Sequence, residues 1–281
     1  MNMLTVLPTP PDLRPWVQGA VVVRSPAGLA GSHFPALTGS MLVVRLAGAV
    51  LVDGPSPAHG QVPLPPAALI APSTRFTGYA HAGEVHAVGL VLQPAALPCL
   101  LQGSAAGWAD RHLPLADLPG LHLPSLWDAL QAAPDDPARL RLLCQRLRQL
   151  VTAHPQHDLR RQRLHRLGQA ICTDLAHAPE ALGMGTRQLQ RLCLAGFGLT
   201  PKQYQSITRL QATLRTAWQT PASGCHTNGA DLAVEHGFFD QSHLARDMRR
   251  LVGTTLTELR QHAGQPETAH WPLHAGTRFT G

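Results

Sequence analysis

Residues Gly229–Arg260 read GADLAVEHGFFDQSHLARDMRRLVGTTLTELR, a pattern that predicts two helices joined by a sharp turn. The first helix begins near Ala230 and ends at Gly237, because glycine tolerates the positive φ angle that closes a helix. Asp240 is placed to accept hydrogen bonds from the free N–H groups at the start of the second helix, Gln241–Leu251. These residues therefore predict a helix-turn-helix unit.

The second predicted helix has an apolar face and a polar face. Leu244, Met248 and Leu251 recur at spacings of four and three, which places them on the inward face. Polar side chains on the opposite face are typical of a second helix whose leading end enters the major groove of DNA. The candidate DNA-binding residues of this unit are Gln241, Ser242, His243, Arg246, Arg249 and Arg250.

A similar unit is predicted earlier in the chain. Gly183-Met184-Gly185 predicts a turn, and Thr186–Ala195 predicts a second helix with Leu189 and Leu192 facing inward. The outward candidates of this helix are Arg187, Gln190 and Arg191. A long predicted helix over residues 202–218 joins the two units, so that their second helices could enter successive major grooves about 34 Å apart.

Positive charge is concentrated in the region that holds both units. The chain has 281 residues and a net charge of +6. Residues 160–262 contain 13 basic and 7 acidic side chains, an excess that equals the charge of the whole chain. A basic domain beside a neutral one is typical of nucleic-acid binding, because basic side chains neutralise phosphates. Charge alone also fits a solvated basic face.

Residues 160–262 resemble the AraC family of bacterial transcription regulators, whose DNA-binding module has two helix-turn-helix units joined by a long helix. The best-matched segments are Arg187–Arg191, Gly198–Tyr204 and Ala230–Gly253. The resemblance implies that the protein binds double-stranded DNA and that both second helices contact bases. The residues implied are Arg187, Gln190, Arg191, Gln241, Ser242, His243 and Arg246.

Three positions depart from the family pattern. Pro179 lies where the first helix of the first unit should continue, and we expect that helix to be short because proline disrupts helices. Leu256 stands where the family usually has proline. The link Gln219–Gly229 is longer than usual and contains Pro and Gly, which predicts a less fixed spacing between the units.

The first half of the chain predicts a β-rich domain, which also resembles the cupin-like sensory domains that accompany such modules. Runs of Val, Leu and Ala separated by Gly and Pro predict strands. The predicted strands are Val17–Arg24, Ser40–Asp53, Ala67–Thr77 and Val85–Leu92. Two helices are predicted after them, Leu126–Ala132 with Ser125 as its cap and Ala138 to about Thr152.

The predicted fold class is α+β with more than one domain. We expect a β-rich sensory or dimerisation domain, with a cupin-like barrel, over residues 1–158, and its helical part over about 124–153. An all-α double helix-turn-helix domain is expected over residues 159–263, followed by a flexible tail over residues 264–281.

An enzyme is one alternative to a DNA-binding protein, because His81, Glu84 and His86 lie close together. Cupin metal sites typically use a His-x-His pair with a later Glu and His, which this pattern does not reproduce, so we expect no metal, no cofactor and no enzymatic activity. Cys193 could be a nucleophile, but its place on the inner side of a helix favours packing.

A second alternative is a protein-interaction module whose helix-turn-helix no longer binds DNA.

The sequence predicts a cytoplasmic transcriptional regulator that is modulated through its N-terminal domain. No apolar run approaches the roughly 20 residues that cross a bilayer, and residues 1–13 lack the pattern of a secretory signal. Expected partners besides DNA are a small-molecule effector, a second copy in a homodimer, and RNA polymerase if the protein is an activator. The apolar stripe Leu140, Leu143, Leu147, Leu150 and Val151 is expected to pack on its own domain, with a homodimer contact as the alternative. The five cysteines form no Cys-x-x-Cys pair and are expected to be buried.

Overall fold

The computed structural model describes residues 4–29, 31–54, 60–118, 124–154, 156–219 and 229–261. Strands dominate the first half of the chain and helices the second. The strands are β1 (Leu4–Leu7), β2 (Val17–Ser25), β3 (Gly31–Phe34), β4 (Met41–Asp53), β5 (Gln61–Pro63), β6 (Ala67–Ile70), β7 (Thr77–Leu92) and β8 (His112–Pro114). The α-helices are α1 (Leu97–Leu100), α2 (Pro124–Ala132), α3 (Asp136–Thr152), α4 (Gln156–Thr173), α5 (Ala178–Ala181), α6 (Thr186–Phe197), α7 (Pro201–Gln219), α8 (Gly229–Glu235), α9 (Gln241–Leu251) and α10 (Leu256–Gln261).

The strands form one antiparallel sheet in the order β1-β2-β7-β4-β6-β8, with β3 paired to β7 and β5 paired to β4. The long strands β4 and β7 lie at its centre and pair from Met41 opposite Val91 to Val52 opposite Tyr79, with register shifts on either side of Ala47. Within the described residues no pairing joins β1 to β8, so the ladder is open at these two edges. The predicted β-rich N-terminal half and the α+β class are confirmed, whereas the predicted barrel is not closed by strand pairing within the described residues.

Two predicted strands have different ends in the structure. The strand predicted over Ala67–Thr77 ends at Ile70, and Pro72, which lacks an N–H, cannot take part in a ladder as a donor. The last predicted strand corresponds to β7, which begins at Thr77, well before the predicted Val85. Its ladder with β4 passes an irregularity where Gly48 and Gly83 have φ angles of 81° and 83°, which glycine adopts readily.

Helix α3 packs on the sheet with its apolar stripe. Asp135 caps the helix by accepting a hydrogen bond from the N–H of Ala138 at 2.7 Å. The stripe is buried in one cluster with side chains of β2, β4 and β7, which confirms that it packs on its own domain. Its buried members are Leu140, Leu143 and Leu147, and Leu150 and Val151 are partly buried against the same cluster. The predicted cap at Ser125 is wrong, because α2 begins one residue earlier, at a proline suited to the first turn of a helix.

The helical half has its own core around α7. Helix α7 contacts α4, α6, α8 and α9, and its 19 residues correspond to about 28 Å of helix. Helix α4 begins at Gln156 and crosses the predicted domain boundary after residue 158. The predicted link over residues 220–228 and the predicted tail lie outside the described residues.

The two halves of the chain meet at the C-terminal ends of α6 and α9. The N–H of Ala105 donates to the carbonyl oxygen of Ala195 in α6 at 2.8 Å, and the N–H of Ala36 donates to that of Leu251 in α9 at 2.7 Å. A third backbone hydrogen bond, 3.3 Å long, runs from Phe76 to the carbonyl of Arg250. Loops of the β-rich half therefore supply donors to carbonyls that helix ends leave without partners.

A buried carboxylate joins α9 to α7. Asp247 of α9 is 8% exposed and accepts hydrogen bonds from Ser206 Oγ at 2.9 Å and from Arg250 Nη2 at 3.0 Å. The guanidinium of Arg209 in α7 lies 3.5 Å from the same carboxylate. Burial by itself would raise the pKa of Asp247, but the hydrogen bonds from Arg250 and Ser206 outweigh burial and lower this pKa below its usual value.

We expect Asp247→Asn to lower the free energy of unfolding by about 2–4 kcal/mol at neutral pH, because breaking a buried ion pair leaves its cations without compensation. The pKa of Asp247 is lower in the folded state than in the unfolded state. Its contribution is therefore fully present above the unfolded pKa, about 4, and is lost as the pH falls through the folded pKa. Urea denaturation of both proteins between neutral and acid pH measures the difference.

The matched control is Asp231→Asn, which changes an exposed carboxylate of α8 and should alter stability by no more than about 0.5 kcal/mol. Equal effects of the two substitutions at neutral pH would contradict the role given to Asp247. So would a difference between native protein and Asp247→Asn that persists unchanged at strongly acid pH.

Candidate nucleic-acid interface

The second helix-turn-helix unit is built from α8, the turn and α9, as predicted. Gly237 ends α8 with a φ angle of 71°. Phe238 fills the corner and is 5% exposed, with the guanidinium of Arg209 lying 4.1 Å from its ring centroid. Asp240 caps α9 by accepting a hydrogen bond from the N–H of His243 at 2.6 Å. These local contacts fix the angle at which α9 leaves the turn.

Helix α9 has a buried face and an exposed face, which the spacing of its apolar residues predicts. The apolar residues Leu244, Met248 and Leu251 are all buried. The exposed residues of the helix include Gln241, Ser242, Arg246 and Arg249. Arg246 makes no hydrogen bond or ion pair with any residue that the structure describes. The exposed face therefore carries hydrogen-bond donors and positive charge that are available to a ligand.

Two of the predicted DNA-binding residues have partners inside the unit. The Nδ1 atom of His243 accepts a long hydrogen bond, 3.4 Å, from the N–H of Phe239, and its ring meets that of Phe238 edge to face. The guanidinium of Arg250 donates to Asp247 and to Ser206 Oγ. These contacts give His243 and Arg250 a structural role in the unit.

The first unit presents a comparable surface on α6. Arg187, Gln190 and Arg191 are exposed, and neither arginine has a hydrogen bond or ion pair within the described ranges. Leu189 is buried, and the helix ends at Gly198, which has a φ angle of 71°. The structure therefore brings the three predicted residues to one exposed side of α6, opposite its buried face.

The departures from the family pattern have visible consequences. Pro179 lies in the first turn of α5, which is 4 residues long, so the first helix of the first unit is short, as predicted. Leu256 is 9% exposed and begins α10. It packs in the core of the helical half, so leucine at this position contributes apolar burial.

The cysteine predictions are confirmed in part. Cys193 is fully buried, and burial raises its pKa to about 12. A thiol with such a pKa carries almost no thiolate at neutral pH and is a poor nucleophile, which agrees with packing. Cys99 and Cys144 are also buried, whereas Cys172 is exposed, contrary to the prediction. Cys225 lies outside the described residues.

The histidines considered as metal ligands have other partners. The two ring nitrogens of His81 lie 3.0 Å from Ser25 Oγ and 3.1 Å from Ser32 Oγ, and burial lowers its pKa. His86 Nε2 lies 2.9 Å from a carboxylate oxygen of Asp136 in α3. Within the described residues no group of three or more His, Cys, Asp or Glu side chains is arranged to hold a metal ion.

Sequence patterns did not identify Asp247, Ser206 and Arg209 as residues that orient the interface. The spacing of Asp247 from Arg250 is a local signal, since residues three apart on a helix are neighbours. The partners on α7 lie about 40 residues away in sequence, so their contact follows from the packing of two helices and not from a motif.

Comparison with protein families identifies the region that carries this surface. A family model described as a helix-turn-helix domain matches residues 180–262, the segment that runs from within α5 through α10. No curated protein matches the chain. In the described ranges, no helix combines the length and the apolar character that crossing a bilayer requires.

Solved structures with a similar fold include several of ToxT from Vibrio cholerae. ToxT from strain O395 has a TM-score of 0.47 at 9% identity, covering 88% of this chain and 98% of that one. Another ToxT structure from Vibrio cholerae has a TM-score of 0.48 at 9% identity, covering 85% and 96%. Wild-type ToxT from strain SCE256 with a bound unsaturated fatty acid has a TM-score of 0.47 at 8% identity, covering 85% and 94%.

The family match and the two helix-turn-helix units lie in the same part of the chain. The matched segment contains the second unit, α7 and all of the first unit except the start of α5, and so includes the exposed polar faces of α6 and α9. Residues 180–262 are therefore a helix-turn-helix domain of the AraC type, and the protein is a DNA-binding transcriptional regulator.

Proposed function

We propose that this regulator recognises double-stranded DNA by its sequence, with α6 and α9 entering successive major grooves. The observation that carries the proposal is the exposed face of α9, where Arg246 has no partner within the described residues and stands on the same helix as exposed Gln241 and Ser242. Amide, hydroxyl and guanidinium groups are the donors and acceptors that read base edges in the major groove.

In the second unit, base contacts are assigned to Gln241, Ser242 and Arg246, and phosphate contacts to Arg249. Gln can bond adenine at two points and Arg can bond guanine at two points. His243 and Arg250 act by supporting α9 through Phe238 and Asp247, because their side chains already have partners there. Recognition in this unit therefore depends on fewer side chains than the sequence pattern predicts.

In the first unit, base contacts are assigned to Arg187, Gln190 and Arg191 on α6. Helix α7 is the rigid connection between the two units, and its length of about 28 Å is comparable to the 34 Å or so that separate successive major grooves on one side of DNA. This arrangement supports a site composed of two sequence elements separated by about one turn of the double helix.

The N-terminal domain is proposed to modulate DNA binding through its contacts with both reading helices. Its loops donate hydrogen bonds to the C-terminal carbonyls of α6 and α9, so a rearrangement in that domain would change both helices. Such a rearrangement would be driven by a small-molecule effector, by a homodimer contact, or by both. A cavity in this domain is lined by Cys99, Leu150 and His154, among others, and measures about 10 Å³. This is room for about one water molecule, so the cavity would have to enlarge to hold an effector.

The regulator is proposed to act in the cytoplasm, where bacterial DNA lies. If it activates transcription, its further partner is RNA polymerase. These two assignments follow from the function and not from a surface of the structure.

We expect Arg246→Ala to weaken binding to the preferred duplex by about 1–3 kcal/mol, with a much smaller effect on mixed-sequence DNA, if Arg246 bonds a guanine. Binding of the native protein to either DNA should weaken steeply as the salt concentration rises, because phosphate contacts release counterions. Fluorescence anisotropy with both duplexes at several salt concentrations measures these effects.

Arg141→Ala is the matched control, since Arg141 is an exposed arginine of α3 outside the helix-turn-helix domain, and it should leave both affinities unchanged. Equal weakening of both duplexes by Arg246→Ala would assign Arg246 to phosphate instead of a base. Native protein that binds no duplex even at low salt would refute the proposed function.

We expect Phe76→Ala to lower the affinity for the two-element duplex about three- to tenfold. The chain around Gly253, which follows α9, would lose its packing against Phe76, and DNA binding would then have to order this segment. The ring of Phe76 covers Gly253, where an added Cβ would lie 3.0 Å from it. Hydrogen exchange at residues 249–253 should become faster in the variant, and anisotropy gives the affinity.

The control for this change is Leu51→Ala, which removes an exposed apolar side chain of β4 and should leave both readouts unchanged. If Phe76→Ala altered neither exchange nor affinity, contacts between the two halves would not transmit regulation at this loop.

A further inference from the structure

Phe239 is the most exposed large apolar side chain in the described part of the chain. It is 91% exposed, whereas its neighbour Phe238 is 5% exposed. Phe238 is buried in the corner between α8 and α9. Two adjacent phenylalanines thus have opposite environments, and no packing within the described residues accounts for Phe239.

The position of Phe239 relative to α9 is fixed by the cap of that helix. Phe239 directly precedes the capping residue Asp240, and its N–H donates to His243 Nδ1 at 3.4 Å. Asp240 accepts from the N–H of His243 at 2.6 Å. These two contacts tie the backbone of Phe239 to the first turn of α9, which is the part of a recognition helix that reaches base edges.

The chemistry of the major groove offers an apolar partner at this place. Thymine presents a C5-methyl group there, and aromatic side chains are among the groups that contact it. Removing the methyl group and the exposed ring from water together is favourable. Burial of the exposed Phe239 ring against a thymine methyl group would therefore stabilise the complex with DNA.

The surroundings of Phe239 favour DNA over a protein partner. The helix that follows it, α9, exposes Gln241, Ser242 and Arg246, whose side-chain groups bond bases and phosphates. The centre of a protein interface needs a cluster of buried apolar or aromatic side chains. Within the described residues, the exposed large apolar side chain of α8 is Val234, and α9 has none.

We propose that Phe239 is a specificity-determining residue that contacts the methyl group of a thymine beside the bases read by Gln241 and Ser242. The inference rests on the proposed function, since it requires α9 to lie in the major groove. It adds to that function a preference for thymine at one position of the second element of the site.

The test replaces each thymine of the preferred duplex, one at a time, by deoxyuridine, which keeps base pairing and removes the methyl group alone. The native protein should lose about three- to fivefold in affinity at one position, the equivalent of one buried methyl group. Phe239→Ala should bind the unmodified duplex about tenfold more weakly and show no further loss at that position. Phe239→Leu keeps an apolar side chain and should keep part of the sensitivity.

Arg246→Ala is the control variant, because it should weaken binding without removing the sensitivity to deoxyuridine. The proposal is overturned if no thymine position matters to the native protein, or if Phe239→Ala keeps the same sensitivity. It is also overturned if Phe239→Ala binds DNA like the native protein but loses transcription, which would assign Phe239 to a protein partner. In these cases salt-dependent binding of the preferred duplex would leave the proposed function standing, whereas native protein that binds no DNA refutes both.

Discussion

The buried carboxylate of Asp247 constrains how the reading surface is presented. It belongs to α9, but Ser206 and Arg209, two of the groups that compensate its charge, belong to α7. Because a buried carboxylate without partners is costly, α9 packs stably on α7 in the rotation that brings these groups together. In that rotation Leu244 and Met248 are buried and the polar side of the helix faces outward. The inward ion pair, together with this apolar burial, therefore determines which side chains of α9 are exposed.

Both helices that are proposed to read DNA, α6 and α9, are held at one end and exposed at the other. Loops of the β-rich half donate hydrogen bonds to carbonyls at the C-terminal ends of α6 and α9, while exposed polar residues lie toward their N-terminal ends. Helix α7 contacts both helices. A domain that contacts both readers at their trailing ends can alter their relative position without touching DNA. This geometry gives the N-terminal sheet a physical route to the proposed DNA-binding surface.

Local signals explain why much of the helical domain could be predicted. Gly237 and Asp240 determine where α8 ends and α9 begins through the chemistry of a few adjacent residues, and the structure places them as expected. The partners of Asp247 and His86 could not be predicted, because they come from other elements that only the folded chain brings near. The true end of β6 depends likewise on where the following loop packs. Exposure of Phe239 was not predicted either, since two adjacent phenylalanines carry the same sequence signal.

Selection of bound duplexes from a random pool is the most direct test of recognition by two helical readers. The account predicts an enriched site with two conserved elements whose centres lie about one helical turn, 10–10.5 base pairs, apart. Recovery of all sequences in equal proportion, or an enriched site with a single element, would contradict it.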